Sequence, residues 1–138
     1  MPNVFNIKEY VRQNTRNKIV FCRSRMQGLQ YVDVGFALSL RLKTNENNSP
    51  VIDIVNQILN ENIRNDAEIG YYLAIENIGI LFEPELKLDV RSLIDSYSKN
   101  QCLVVLTYAE IDNGVLYFLE KSDGVSVSLS GLSFKELK

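Results

Sequence analysis

Histidine and tryptophan are absent from the 138-residue chain, and cysteine is limited to Cys22 and Cys102. The first absence excludes a serine or cysteine triad with an imidazole base and removes most catalytic zinc sites. Two cysteines cannot assemble a Cys-type zinc site on their own. Both lie in apolar runs, Ile19-Val20-Phe21-Cys22 and Cys102-Leu103-Val104-Val105. Buried, reduced thiols are therefore expected in preference to a disulfide.

Long apolar runs are also missing. None approaches the ~20 residues needed to span a bilayer. The opening Met1-Pro2-Asn3-Val4-Phe5-Asn6 has neither the basic stretch nor the apolar segment of a signal peptide. A cytoplasmic location with no membrane association is expected. There is no strong charge of either sign: the formal net charge is −2 and the isoelectric point is about 5.2. No overall basic field advertises nucleic acid or an anionic membrane as a partner. What is present is ordinary for a globular core, with 46% hydrophobic and 23% charged residues. The length suits one domain over residues 1–138, without repeats or an internal linker.

The pattern along the chain points to an α/β fold. Asn6 and Glu9 form a capping-box-like pair, and Ile7, Tyr10 and Val11 follow helical spacing, which predicts a helix to about Arg16. Lys18 to Cys22 reads as a buried strand. Leu29 to Val34 reads as a second one, ended by Gly35. Residues 36–43 alternate like a strand yet are rich in helix formers, and are read as a helix. Ser49-Pro50 signals a helix start, followed by the stripe Val51, Ile54, Val55, Ile58 and Leu59. A largely apolar strand segment covers Tyr71 to Leu81. Pro84 then opens a helix carrying Leu86, Val90, Leu93, Ile94 and Tyr97 on one face. Leu103 to Tyr108 is the next buried run. Turns at Asp112-Asn113-Gly114 and Ser122-Asp123-Gly124 link Val115–Leu119 to Val125–Leu129, whose alternation suggests a half-exposed edge strand. Helices between buried strands, then a meander, predict a three-layer α/β domain with a mixed sheet and a C-terminal antiparallel meander.

The stretch from Ala74 to Asp89, AIENIGILFEPELKLD, carries an acidic-Asn-Ile strand end, then Leu-Phe-Glu-Pro, then Leu-Lys. It resembles the BrxF family, small P-loop proteins of type 3 BREX phage-defence systems. Ser98 to Val105 and Tyr31-Val32-Asp33-Val34-Gly35 are similar to further parts of the family pattern, so the likeness covers roughly residues 29–107. The resemblance implies a P-loop-NTPase-derived core with a Gly-x-x-x-x-Gly-Lys-Ser/Thr loop after the first strand. This chain instead has Arg23-Ser24-Arg25-Met26-Gln27-Gly28, and Gly-Lys-Ser/Thr occurs nowhere. A phosphate-binding loop needs glycines to converge backbone N–H groups on phosphate, a lysine, and a hydroxyl for Mg²⁺. It also needs the N-terminus of a crossover helix. About eight residues separate Cys22 from Tyr31, fewer than the ~10–12 of a βαβ crossover. That helix is expected to be missing, and ATP hydrolysis of the usual kind with it.

Several side chains remain as candidates. Glu76 and Asn77 form an acidic strand end where a Mg²⁺-associated residue of a P-loop protein would fall; the plainer reading is a strand-end cap. Arg23 and Arg25, with Lys18, could contact an anion or nucleic acid, and would do so with steep salt dependence. Glu85-Leu86-Lys87 matches the Glu-x-Lys element of metal-dependent nucleases, with Asp66, Glu68 or Glu76 as partner acid. A position in the first turn of a helix would destroy the strand geometry that element needs. No catalytic residue, cofactor or metal ligand is assigned.

The expected function is a non-catalytic assembly subunit of a bacterial phage-defence complex. Its partners would be larger proteins, nucleic acid would be reached only through the complex, and homo-oligomerisation is left open. The alternatives are a divergent nuclease or NTPase using Glu76 and Glu85, and a small nucleic-acid-contacting adaptor.

Overall fold

Four consecutive apolar residues, Ile19–Cys22, form β1, and all four are buried. A strand apolar on both sides suits a sheet covered on both faces. In the computed structural model, which describes residues 5–45, 48–118 and 125–137, this is what is found. β1 pairs in parallel with β5 (Cys102–Leu106), setting Ile19 against Leu103. β5 pairs in parallel with β4 (Gly70–Glu76), setting Leu73 against Leu103. On the far side of β4 its carboxyl half pairs in parallel with β2 (Tyr31–Asp33), while its amino half pairs antiparallel with β3 (Arg64–Asp66). β9 (Phe134–Glu136) adds in parallel to the other side of β1. The sheet order is β2-β4-β5-β1-β9, with β3 off that path.

One face, through Ile19, Phe21, Leu73, Ile75, Leu103 and Val105, packs against three helices. They are α2 (Val34–Lys43), α3 (Val51–Glu61) and α4 (Val90–Ser96). The antiparallel sheet β6 (Glu110–Asp112), β7 (Val115–Phe118) and β8 (Val125–Ser128) is separate and packs Leu116 and Val127 into the same core. The opposite face, through Val20, Cys22, Tyr72, Ala74, Cys102 and Val104, has a thinner cover. It lies under the short α1 (Ile7–Val11) and the loop over residues 23–30, which contribute Tyr10, Met26 and Leu29.

No helix lies between β1 and β2, as the short spacing predicts. The loop crosses the sheet and is pinned by two tyrosines. Met26 N donates to Tyr31 Oη at 2.9 Å and Gln30 N donates to Tyr72 Oη at 3.1 Å. This connection moves away from β1 in one direction on the thin face; those from β2 to β4, β4 to β5 and β5 to β9 move in the other direction on the helical face. Reversing both direction and face preserves handedness, so every parallel crossover has one hand, as the twist of β-strands requires.

Several elements differ from the sequence expectation. α1 stops at Val11 because no apolar residue follows before Ile19 to give a longer helix a face to bury. β2 starts at Tyr31 and ends at Asp33, whose carboxylate accepts from Phe36 N at 2.9 Å and caps α2. Val34 and Gly35 are thus helical, and residues 36–43 are helix. β4 ends at Glu76; Gly79–Phe82 is a 3₁₀ turn. Pro84 opens a single 3₁₀ turn, Pro84–Leu86, and Lys87 (φ +53°) breaks it. α4 starts only at Val90, where Asp89 accepts from Ser92 N at 3.0 Å. β3 and β9 were not expected. The Asn113-Gly114 hairpin is present with both residues at positive φ, the twist a two-residue turn needs. The turn expected at Ser122-Asp123-Gly124, together with Leu119, lies outside the described residues.

At the amino edge of the sheet, Asn17 is fully buried and donates to Asp95 Oδ1 and Ser98 Oγ, each at 2.9 Å. Asp95 also pairs with Arg16 at 3.0 Å and Lys99 at 3.3 Å. Donation from Asn17, then from the two cations, holds its carboxyl at about 2, below the usual 3.8. This network ties the start of β1 to the end of α4.

Candidate functional site at the carboxyl edge of the sheet

In parallel sheets ligands settle beyond the carboxyl ends of the strands, beside connections that leave to opposite faces. Here that edge collects the ends of β1, β2, β4 and β5, and with them the residues singled out by sequence. Arg25, in the loop after β1, forms an ion pair with Glu76 at the end of β4. The Arg25 guanidinium also lies 5.5 Å from the centre of the Tyr31 ring. Its hydrogen bond to Glu76, then the charge of that carboxylate, raises the Arg25 pKa above its ordinary value. Arg23 is exposed, and no ion pair or hydrogen bond of its side chain is found among the described residues. The structure therefore separates the two arginines: one is bound to the candidate acid and the other faces solvent.

Asn77 follows Glu76 with φ +54°, a left-handed conformation that asparagine tolerates better than most residues. Its Nδ2 donates to Asp33 Oδ1 at 2.8 Å, and its carbonyl accepts from Gly35 N at 2.9 Å. The amide thus locks the end of β4 to the start of α2. Gly35 is required by this contact, since a Cβ there would lie 2.4 Å from Asn77 Nδ2. Glu76 thus pairs with a side chain of the loop and Asn77 with the residues that open α2, while the cap of that helix is Asp33. The groups beside them whose titration is displaced move away from neutrality. Burial raises both the Cys22 thiol and the Tyr31 phenol, which suits neither a nucleophile nor a base near pH 7.

Glu85 and Lys87 sit on and just after the exposed 3₁₀ turn, away from any strand, and neither lines the cleft that contains Glu76. No group of three or more Cys, Asp and Glu side chains is placed to hold a metal ion among the described residues. A cleft of about 570 Å³ does open at this edge, lined by Glu76, Asn77, Thr107, Tyr108 and Phe118 among others. Tyr108 is 79% exposed at its rim, and Phe118 stacks on Phe82 at 4.6 Å. This aromatic wall was not legible in the sequence, where Tyr108 reads as the end of a buried run; it stands exposed in the loop between β5 and β6, and Phe118 ends β7. Asp33 was also missed; its signal was a carboxylate three residues ahead of Phe36, an N-cap spacing hidden by the strand-like alternation around it.

Among the described residues no helix is long and apolar enough to cross a membrane. No protein-family model, curated protein or solved structure matches the chain.

Proposed function

We propose that the chain is a non-catalytic interaction subunit of a multi-protein assembly, of the phage-defence type to which residues 74–89 point by resemblance. The observation that carries the reading is the mutual engagement of the residues that would handle phosphate or metal. Arg25 is paired with Glu76, and Asn77 is committed to Asp33 and Gly35. These contacts hold loop, strand and helix together, and they leave the carboxyl edge rigid and neutralised. A sheet that descends from a P-loop protein and has exchanged its phosphate loop for the crossing loop over residues 23–30 fits the same reading. Its partners are larger proteins of the assembly, in the cytoplasm.

The test is thermal. A ligand at 100 times its Kd stabilises a native protein by about 2.7 kcal/mol. ATP with Mg²⁺ at millimolar concentration should leave the melting temperature unmoved. A saturable rise, or metal-dependent DNA cleavage abolished by Glu85→Ala, would overturn the reading in favour of an enzyme.

A further inference from the structure

β8 is an edge strand, and among the described residues it pairs only with β7. The register decides which backbone groups that edge leaves over. Leu129 N donates to Gly114 O at 2.8 Å, so these opposed residues form a hydrogen-bonded pair. In an antiparallel ladder such pairs alternate, which makes Leu116–Val127 and Phe118–Val125 hydrogen-bonded too. The N–H and C=O groups of Ser126 and Ser128 consequently point away from β7. Their side chains lie on the solvent face, whereas Val127 is buried and Val125, on the same side as Val127, is 39% exposed.

Beside this edge runs a cleft of about 560 Å³, lined by β8 together with Leu81, Phe82, Pro84, Leu88 and Val90. Lys87 and Arg91 on its wall are offset by Glu83 and Asp89, so the wall selects no net charge. A row of outward N–H and C=O groups is matched by another extended backbone. A helix cannot answer it, because a helix spends its own backbone groups internally.

We propose that the β8 edge and this cleft receive an extended peptide segment of a partner protein, added as one more strand whose alternate apolar side chains enter the cleft. This rests on the reading of the chain as an interaction subunit, and it names the surface and the kind of partner. Affinity comes from main-chain hydrogen bonds to Ser126 and Ser128, and selectivity from the apolar pocket.

The probe is a capped hexapeptide of alternating valine and threonine, titrated into the ¹⁵N-labelled full chain. A second copy of the peptide is N-methylated at the amides that would donate to β8. The Ser126 and Ser128 amides should shift on binding, and at saturation they should exchange with solvent at least tenfold more slowly. The loss of two main-chain hydrogen bonds predicts that the N-methylated peptide binds roughly tenfold more weakly or worse. Ser126→Pro, which removes one of the outward donors, should weaken binding severalfold with the far-UV spectrum unchanged, because this N–H makes no bond to β7. The proposal is overturned by no binding at ~1 mM peptide, by equal binding of the methylated peptide, or by amides at 126 and 128 already protected in the free chain. A Ser126→Pro chain that still enters its native assembly overturns the edge proposal and leaves the subunit reading standing. A wild-type chain that enters no assembly in its own cells removes the subunit reading whatever the peptide does.

Discussion

Replacing Gly35 by alanine tests the join between β4 and α2 directly. The backbone at Gly35 is ordinary helix, so propensity alone favours alanine by about 1 kcal/mol. Packing opposes it. The new Cβ would lie 2.4 Å from Asn77 Nδ2, 2.8 Å from Asn77 Cγ and 2.9 Å from the Asn77 carbonyl oxygen. Ordinary contact begins near 3.4 Å, so the Asn77 side chain must retreat by roughly 1 Å. It is not free to do so, because its Nδ2 is held by Asp33 and its own main chain is fixed by the Gly35 N–H donating to the Asn77 carbonyl. Overpacking of this kind costs about 1–3 kcal/mol, and each hydrogen bond given up adds about 1 kcal/mol. Net of propensity, Gly35→Ala should destabilise by roughly 2–3 kcal/mol, or about 6–12 °C in melting temperature at this chain length. Urea unfolding followed by circular dichroism should show a lower midpoint with the slope unchanged. In an Asn77→Gly background, where glycine accepts the positive φ and carries no amide, the same substitution should cost at least ~1 kcal/mol less. A neutral or stabilising Gly35→Ala, or costs that simply add, would refute the claim that this contact holds the carboxyl edge.

Acid should weaken the amino edge. The Asp95 carboxyl is held at about 2 in the folded chain against 3.8 ordinarily. A depressed pKa contributes stability above the unfolded value and loses it as pH falls through the folded one, so melting temperature should drop between about pH 4 and pH 2. Asp95→Asn should flatten that dependence while starting from a lower value at pH 7. The two sides of α2 should answer truncation differently. Leu38→Ala, at a fully buried position, should cost about 2–5 kcal/mol. Phe36→Ala, at a residue 66% exposed, should change stability by less than ~0.5 kcal/mol. Burial raises the Cys22 thiol and pushes Cys102 up to about 12, so both should resist a thiol reagent at pH 8 and react together once urea unfolds the chain.

Local chemistry was legible at several turns and helix starts, though the caps at Asp33 and Asp89 escaped notice. The two-residue turn at Asn113-Gly114 needs positive φ twice, and few other pairs supply it. Pro50 marked the start of α3 to within a residue, although it stands at the N-cap itself and the Ser49 hydroxyl caps nothing, and the stripe from Val51 to Leu59 described the buried face. The spacing from Cys22 to Tyr31 excluded a crossover helix. Elements defined by their neighbours were hidden. Phe134-Lys135-Glu136 has no strand pattern and is a strand because β1 offers it an edge. Arg64-Asn65-Asp66 has no apolar residue and exists as the return limb of β4. Pro84 misled, since a proline suits a 3₁₀ turn as well as a helix, and the operative signal was Asp89 placed three residues before Ser92. The candidate site divided in the same way. Glu76 and Asn77 were readable as a strand end, whereas the Arg25–Glu76 pair joins residues 51 apart and follows only from the sheet order.

That order has a consequence for biogenesis. β1 is made before either of its partners, Cys102–Leu106 and Phe134–Glu136, which follow it by 80 residues or more. At ~5–20 residues per second, Ile19–Cys22 waits some 4–16 s before a first neighbour exists. Its side chains must be shielded meanwhile, by transient contact with α1 or by a chaperone. Folding of this chain should therefore be limited by late, long-range closure around its earliest strand, and a pause in translation before residue 102 should raise aggregation more than one after residue 137.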